Sequence, residues 1–151
     1  MINLKSLNSL KENYQLKAKT AKGGFPPSIW RTYSSFANTK GGTILLGVSK
    51  KEDCSLTPIG LTKNEVLDLQ KKFWDNIKDT KIVSSNILTD KDVRIEQIDS
   101  SFILVIEIPE ASRQQKPIYI NDNVWNAYQR FFIGDYKMTK SEVFEMIRDS
   151  N

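Results

Sequence analysis

The sequence has no histidine. That removes Ser-His-Asp and Cys-His catalysis, histidine zinc ligands and imidazole acid–base chemistry. It has one cysteine, Cys54. No intramolecular disulfide or Cys-rich zinc site can form, and a lone thiol fits a reducing compartment. The flanking run Lys51-Glu52-Asp53-Cys54-Ser55 offers no base partner, so the thiol reads as an inert loop residue. No apolar run approaches the roughly 18 residues of a membrane span. The start, Met1-Ile2-Asn3-Leu4-Lys5, lacks the hydrophobic stretch of a secretory leader. The expectation is a soluble cytoplasmic chain without membrane contact, whose only chemistry would rest on carboxylate, lysine, tyrosine or a metal held by oxygens.

Acid is also scarce at the front. Residues 1–50 carry eight lysines and arginines but one acid, Glu12, whereas residues 51–151 carry fourteen bases and seventeen acids. Such asymmetry points to a polyanionic partner, nucleic acid above all, because each neutralised phosphate releases counterions. The alternative is a set of lysines on unrelated solvated faces.

With 151 residues, 39% apolar and 26% charged, the chain has the size and balance of one globular domain spanning residues 1–151. Leu4, Leu7 and Leu10 suggest a short amphipathic helix, and residues 14–19 a short strand. After the breakers Gly23-Gly24-Phe25-Pro26-Pro27, a helix is predicted over Ser28–Thr39, stopped by Gly41-Gly42. Ser28 is its expected cap. Thr43–Val48 reads as a strand buried on both faces. Thr62-Lys63-Asn64-Glu65 and Thr139-Lys140-Ser141-Glu142 are capping boxes that open two further helices. Strands are predicted over 81–88, 93–98 and 102–108, with hairpin turns at Asp99-Ser100-Ser101 and Asn121-Asp122-Asn123. The order reads as α+β: a mixed, largely antiparallel sheet flanked by three to four helices.

The glycine pairs do not make a P-loop. Gly41-Gly42 precedes a strand rather than a helix, and Phe25-Pro26-Pro27 stands where Lys-Ser/Thr would be needed. Asp90-Lys91-Asp92 reads as a solvated turn rather than a metal site. Trp30 and Trp74 fall off their helices' apolar stripes, which marks them for base stacking or a protein interface.

The run Ser28–Val48, with Phe36-Ala37-Asn38-Thr39-Lys40-Gly41-Gly42-Thr43-Ile44-Leu45-Leu46-Gly47-Val48 at its centre, resembles the AlbA-type DNA-binding domain of the Schlafen family, here as a single-domain bacterial member. Gln15-Leu16-Lys17, Pro58-Ile59-Gly60-Leu61, Pro117-Ile118-Tyr119 and Tyr128-Gln129-Arg130 stand where that family has further elements. The resemblance implies an α+β nucleic-acid-binding domain. Some members cleave RNA with three metal-holding carboxylates, and the corresponding positions here are Leu10, Gln15 and Ser49. None is acidic, and Glu12 lies two residues off the pattern. Leucine offers no ligand, and glutamine and serine only neutral ones, where Mg²⁺ or Mn²⁺ wants carboxylates.

The resulting expectation is a non-catalytic, transcription-related nucleic-acid-binding domain with no metal and no cofactor. Lys17, Lys19, Lys22, Arg31 and Lys40 would contact phosphates, with Arg130 as a distal partner. Asn38 would bond a base or backbone, or cap the helix before Gly41. Two rivals are a homodimeric interaction module with Trp30 and Trp74 at its interface, and a metal-dependent ribonuclease using Glu12. The resemblance also associates regulators with a following winged helix, which is not seen before Asn151.

Overall fold

The computed structural model describes residues 4–151. A four-stranded sheet forms its centre, with strand order β1 (Leu16–Lys19), β2 (Gly42–Leu46), β6 (Ser101–Ile108), β5 (Val93–Ile98). Strand β1 runs parallel to β2, and the other neighbours are antiparallel. Helix α1 (Ile29–Asn38) makes the crossover that a parallel pair requires. Two small hairpins flank the sheet, β3 (Val48–Lys50) with β4 (Leu56–Pro58), and β7 (Tyr128–Phe131) with β8 (Gly134–Lys137). Helices α2 (Lys63–Ile77) and α3 (Lys140–Asp149) complete an α+β, largely antiparallel architecture.

The apolar runs are buried on both sheet faces, as their lack of alternation demands. Ile44, Leu46, Leu104 and Ile106 meet Tyr33 and Phe36 of α1 and Val66, Leu69 and Phe73 of α2. Their strand neighbours Leu45, Ile103 and Val105 turn the other way onto Leu7, Leu16, Ala18, Val48 and Leu56. Both expected capping boxes form. The Glu65 N–H donates to Thr62 Oγ1 at 3.2 Å and the Thr62 N–H to Glu65 Oε1 at 2.9 Å. Thr139 and Glu142 repeat the pattern.

The glycine pair after α1 has a packing reason. Gly41 has φ +73°, and a Cβ there would stand 2.8 Å from the Ile108 carbonyl oxygen. A Cβ on Gly42 would lie 2.8 Å from the Phe36 ring. Helix α1 can turn sharply into β2 only without side chains at both positions.

Four expectations need correction. The leading helix is a 3-10 turn, Leu4–Ser9, with a kink at Ser6. Its leucines recur every three residues, the 3-10 period rather than the α period. Residues 81–88 are not a strand, and only Val83 pairs, with Ile120. Asp79 and Asn86 bond the N–H groups of Lys81 and Leu88, and the Tyr33 hydroxyl accepts from Ile87 and donates to Ser85, so the segment is pinned as a loop over α1. Burial pushes that phenol's pKa up to about 12, against the opposing effect of the Ile87 N–H. The turn near Asn121-Asp122 exists, with both residues left-handed, but its flanks pair only through isolated bridges. Ser28 does not cap α1 with its side chain; its hydroxyl accepts from Lys19 Nζ instead, at 2.9 Å.

Candidate nucleic-acid interface

Helix α1 organises the site by acting as a neighbour to β7. A hairpin strand leaves alternate backbone groups unpaired on its outer edge. Here the Tyr128 N–H donates to Ser34 Oγ at 3.0 Å, and the Arg130 N–H to Thr39 Oγ1 at 2.9 Å. Asn38 Nδ2 donates to the Tyr128 carbonyl at 3.0 Å and the Ile118 carbonyl at 2.9 Å, while its Oδ1 accepts from the Ile118 N–H at 2.8 Å. Asn38 and Thr39 of the central run are thus backbone ties. Asn38 is 4% exposed and its amide is spent, so it does not meet a base.

Arg130, expected as a distal phosphate partner, is turned into the fold instead. Its guanidinium has no exposed surface. It pairs with Asp135 at 2.8 Å, donates to the Asn13 carbonyl at 3.0 Å and lies 5.0 Å over the Phe36 ring. It welds the hairpin to the entry of β1 and cannot reach a phosphate. Asp135 also accepts from Thr32 Oγ1 at 2.6 Å and Ser35 Oγ at 2.5 Å. Burial alone would raise its pKa, but these hydroxyls and Arg130 outweigh it and hold the carboxyl below the usual aspartate range. A carboxyl lowered in the fold contributes stability above its unfolded pKa of about 3.9, and that contribution is lost as pH falls through the folded value. Urea midpoints should therefore fall on acidification below about pH 4, and Asp135→Asn should flatten that fall. An unchanged acid slope in the variant would remove Asp135 as its source.

The remaining predicted bases divide into two places. Lys17 and Lys19 share one face of β1, with Leu16 and Ala18 buried on the other. Lys19 reaches Ser28 at the start of α1. Its pKa is lowered, first by burial and then by the adjacent Lys17 charge, with Asp135 and Glu12 opposing the shift and Arg31 adding a smaller part. Lys17 and Lys19 on β1 and Arg31 on the first turn of α1 thus lie close to one another. Exposed Arg31 sits 5.3 Å over the Tyr128 ring, which joins the strip to the hairpin. Lys22 is exposed in the open loop 19–27 beside it.

Lys40 lies elsewhere. It follows the far end of α1 and lines a cleft of about 540 Å³ with Asp92, Glu107 and Glu110. Its carbonyl accepts from Gln15 Nε2 at 3.1 Å. Leu10 and Gln15 line the same cleft. Ser49 is not in that lining, and its hydroxyl donates to the Thr57 carbonyl at 3.4 Å. Glu12 is buried at the free edge of β1. Its Oε2 accepts from the Ala18 N–H at 2.7 Å, and Lys17 at 3.9 Å and Lys50 at 3.2 Å balance its charge. Among the described residues no three acidic or cysteine side chains group as metal ligands, and no helix is long and apolar enough to cross a membrane.

A family model described as Schlafen, AlbA_2 matches residues 8–139. The chain belongs to that family. No curated protein matches it. Among solved structures, the N-terminal domain of a DNA helicase RecG-related protein from Nitrosomonas europaea shares the AlbA_2 fold described above. It is 24% identical over 90% of each chain, with a TM-score of 0.58. The DIP2311 protein from Corynebacterium diphtheriae matches at 15% identity and TM-score 0.53. That match covers 91% of this chain but 28% of the larger protein.

Several participants escaped the sequence reading. Lys50 joins Lys17 over Glu12, although nothing local distinguishes it from other surface lysines. Trp30 is not available to an interface, being 5% exposed and stacked on Phe73 at 5.1 Å. The exposed aromatics are instead Tyr14, Phe144 and the group Phe131, Phe132 and Tyr136, the last three on a hairpin the sequence reading did not foresee. The Phe-Phe-Ile-Gly turn was its only local signal.

Proposed function

We propose that this AlbA_2 domain is a non-cleaving nucleic-acid-binding module whose phosphate contacts run along Lys17, Lys19 and Arg31, with Lys22 and Lys50 at the margins. The observation that carries the reading is the placement of Lys17 and Lys19 on one face of β1, with Lys19 reaching Ser28 at the start of α1 and Arg31 lying over Tyr128 of the β7–β8 hairpin. Nearby acids offset them only in part. Asp135 is neutralised by buried Arg130, and Glu12 is shared by Lys17 and Lys50. Family membership supports a nucleic-acid role, as does the fold shared with the N-terminal domain of a DNA helicase RecG-related protein. Leu10 and Gln15 supply no carboxylate in the Lys40 cleft, and although Asp92, Glu107 and Glu110 also line it, no three acidic side chains among the described residues group as metal ligands.

Phosphate neutralisation makes log affinity fall with log salt by about 0.9 per contact on duplex DNA and about 0.7 on a single strand. The triple variant Lys17→Gln, Lys19→Gln, Arg31→Gln is expected to weaken binding and reduce that slope by roughly 2 to 3. Anisotropy titrations on duplex DNA, oligo-dT and tRNA at several salt concentrations measure both quantities. Salt-independent binding, or an unaltered slope in the variant, overturns the reading. Cleavage of tRNA with added Mn²⁺ overturns its non-cleaving part.

A further inference from the structure

The β7–β8 hairpin carries an apolar surface that its own folding does not require. Phe131 is 64% exposed and Phe132 74%, with Tyr136 beside them. Phe131 packs edge-on against both neighbours, at 5.5 Å from Phe132 and 6.2 Å from Tyr136. The rings therefore form one solvent-facing platform. Phe132 opens the two-residue loop between paired Phe131 and Gly134 with φ +57°. Hairpin chemistry favours glycine or asparagine there, and a bulky residue is strained. Local folding thus argues against this phenylalanine on two counts, conformation and exposure. Strain persisting in an exposed position is a signature of use.

What the platform would meet follows from its neighbour. The other face of the hairpin lies on α1, where Tyr128 stacks beneath Arg31. Phe131 lies three strand residues, about 10 Å, beyond Tyr128, and the odd spacing puts its ring on the opposite face of the hairpin. At a rise of about 3.4 Å per nucleotide, roughly three stacked nucleotides span that distance. A polyanion laid along Lys17, Lys19 and Arg31 would reach the platform by turning round the hairpin tip at Phe132, which a flexible single strand can do and a stiff duplex cannot. Aromatic rings beside a basic track are the combination that holds single strands, since only unpaired bases expose a face for stacking. A protein partner would be served by the rings alone and leaves the adjoining cations without a role.

We infer that the hairpin platform stacks unpaired bases and makes single-stranded nucleic acid the preferred ligand of the basic strip. This deepens the phosphate-binding reading and rests on it. The test pairs two variants on labelled oligo-dT and on a DNA duplex: Phe131→Ser with Phe132→Ser, and the Lys17, Lys19, Arg31 glutamine triple. The first changes exposed residues and the second half-buried Lys17 and Lys19 with exposed Arg31, so circular dichroism checks that each folds. Wild type should bind oligo-dT more tightly than duplex. The hairpin variant should lose about tenfold or more on oligo-dT, keep its salt slope and bind duplex as before. Wild-type affinity of the hairpin variant for oligo-dT overturns the inference and leaves the phosphate reading standing. An indifferent lysine variant overturns the phosphate reading itself. Sedimentation showing wild-type self-association that the hairpin variant abolishes overturns the inference in favour of a contact between copies.

Discussion

Arg130→Met should lower the unfolding free energy by about 3–5 kcal/mol, the usual effect of removing one partner from a buried ion pair. The loss is not that of one surface salt bridge, whose worth is about 0–1 kcal/mol. Asp135 would keep its two hydroxyl donors but lose the cation beside it, in a site that water barely reaches. The Asn13 carbonyl would keep the Leu16 N–H but lose the Arg130 donor, which loosens the hairpin from the entry of β1. Pairing the change with Asp135→Leu should recover part of the loss, because the uncompensated charge is gone. Urea unfolding of the two singles and the double measures this coupling. A single-variant cost below about 1 kcal/mol would contradict the buried pair. The residue invites the opposite expectation, since an arginine in a nucleic-acid-binding domain reads as a phosphate ligand. Its glutamine variant should change stability without changing the salt slope of whatever binding survives.

Asn38→Asp is the second large effect. The side chains are nearly isosteric, so packing is unchanged and the hydrogen-bond pattern alone is tested. The amide donates to two carbonyls and accepts one N–H, all from residues some eighty to ninety positions away. A carboxylate would face the Ile118 and Tyr128 carbonyls with no proton to offer. Each unsatisfied buried group costs about 1–3 kcal/mol. The expected loss is about 3 kcal/mol or more, which in a chain of this size lowers the melting temperature by roughly 6–12 °C. Thermal unfolding by circular dichroism measures it. A shift under about 2 °C would mean that α1 does not hold β7 through this residue.

These two positions, with the exposed hairpin, separate what is local in this chain from what is not. The capping boxes at Thr62 and Thr139, the turn at Asp99, the break at Gly41-Gly42 and the doubly buried strands β2 and β6 were legible in the sequence. Each depends on residues within a few positions of one another, where backbone geometry and side-chain chemistry act directly. The cluster of bases in the first third was legible as composition, and part of it does converge on one surface. Lys40 does not, because ten helical residues carry it to the far end of α1, and linear proximity across a helix becomes separation in space.

Tertiary structure alone decided which polar groups are spent inside the fold. A buried arginine and an exposed one are the same letter in the same kind of pattern. Their difference lies in acceptors contributed by distant segments, Asn13 and Asp135 for Arg130, Ile118 and Tyr128 for Asn38. The aromatics exchanged roles for the same reason. Trp30 is covered by α2, which the chain reaches more than thirty residues later, whereas Phe131 and Phe132 stay largely exposed among the described residues. Short-range chemistry therefore settled the elements and the sign of the charge. Long-range packing settled which side chains remain free to meet a ligand, since burial is a property of what arrives from elsewhere in the chain.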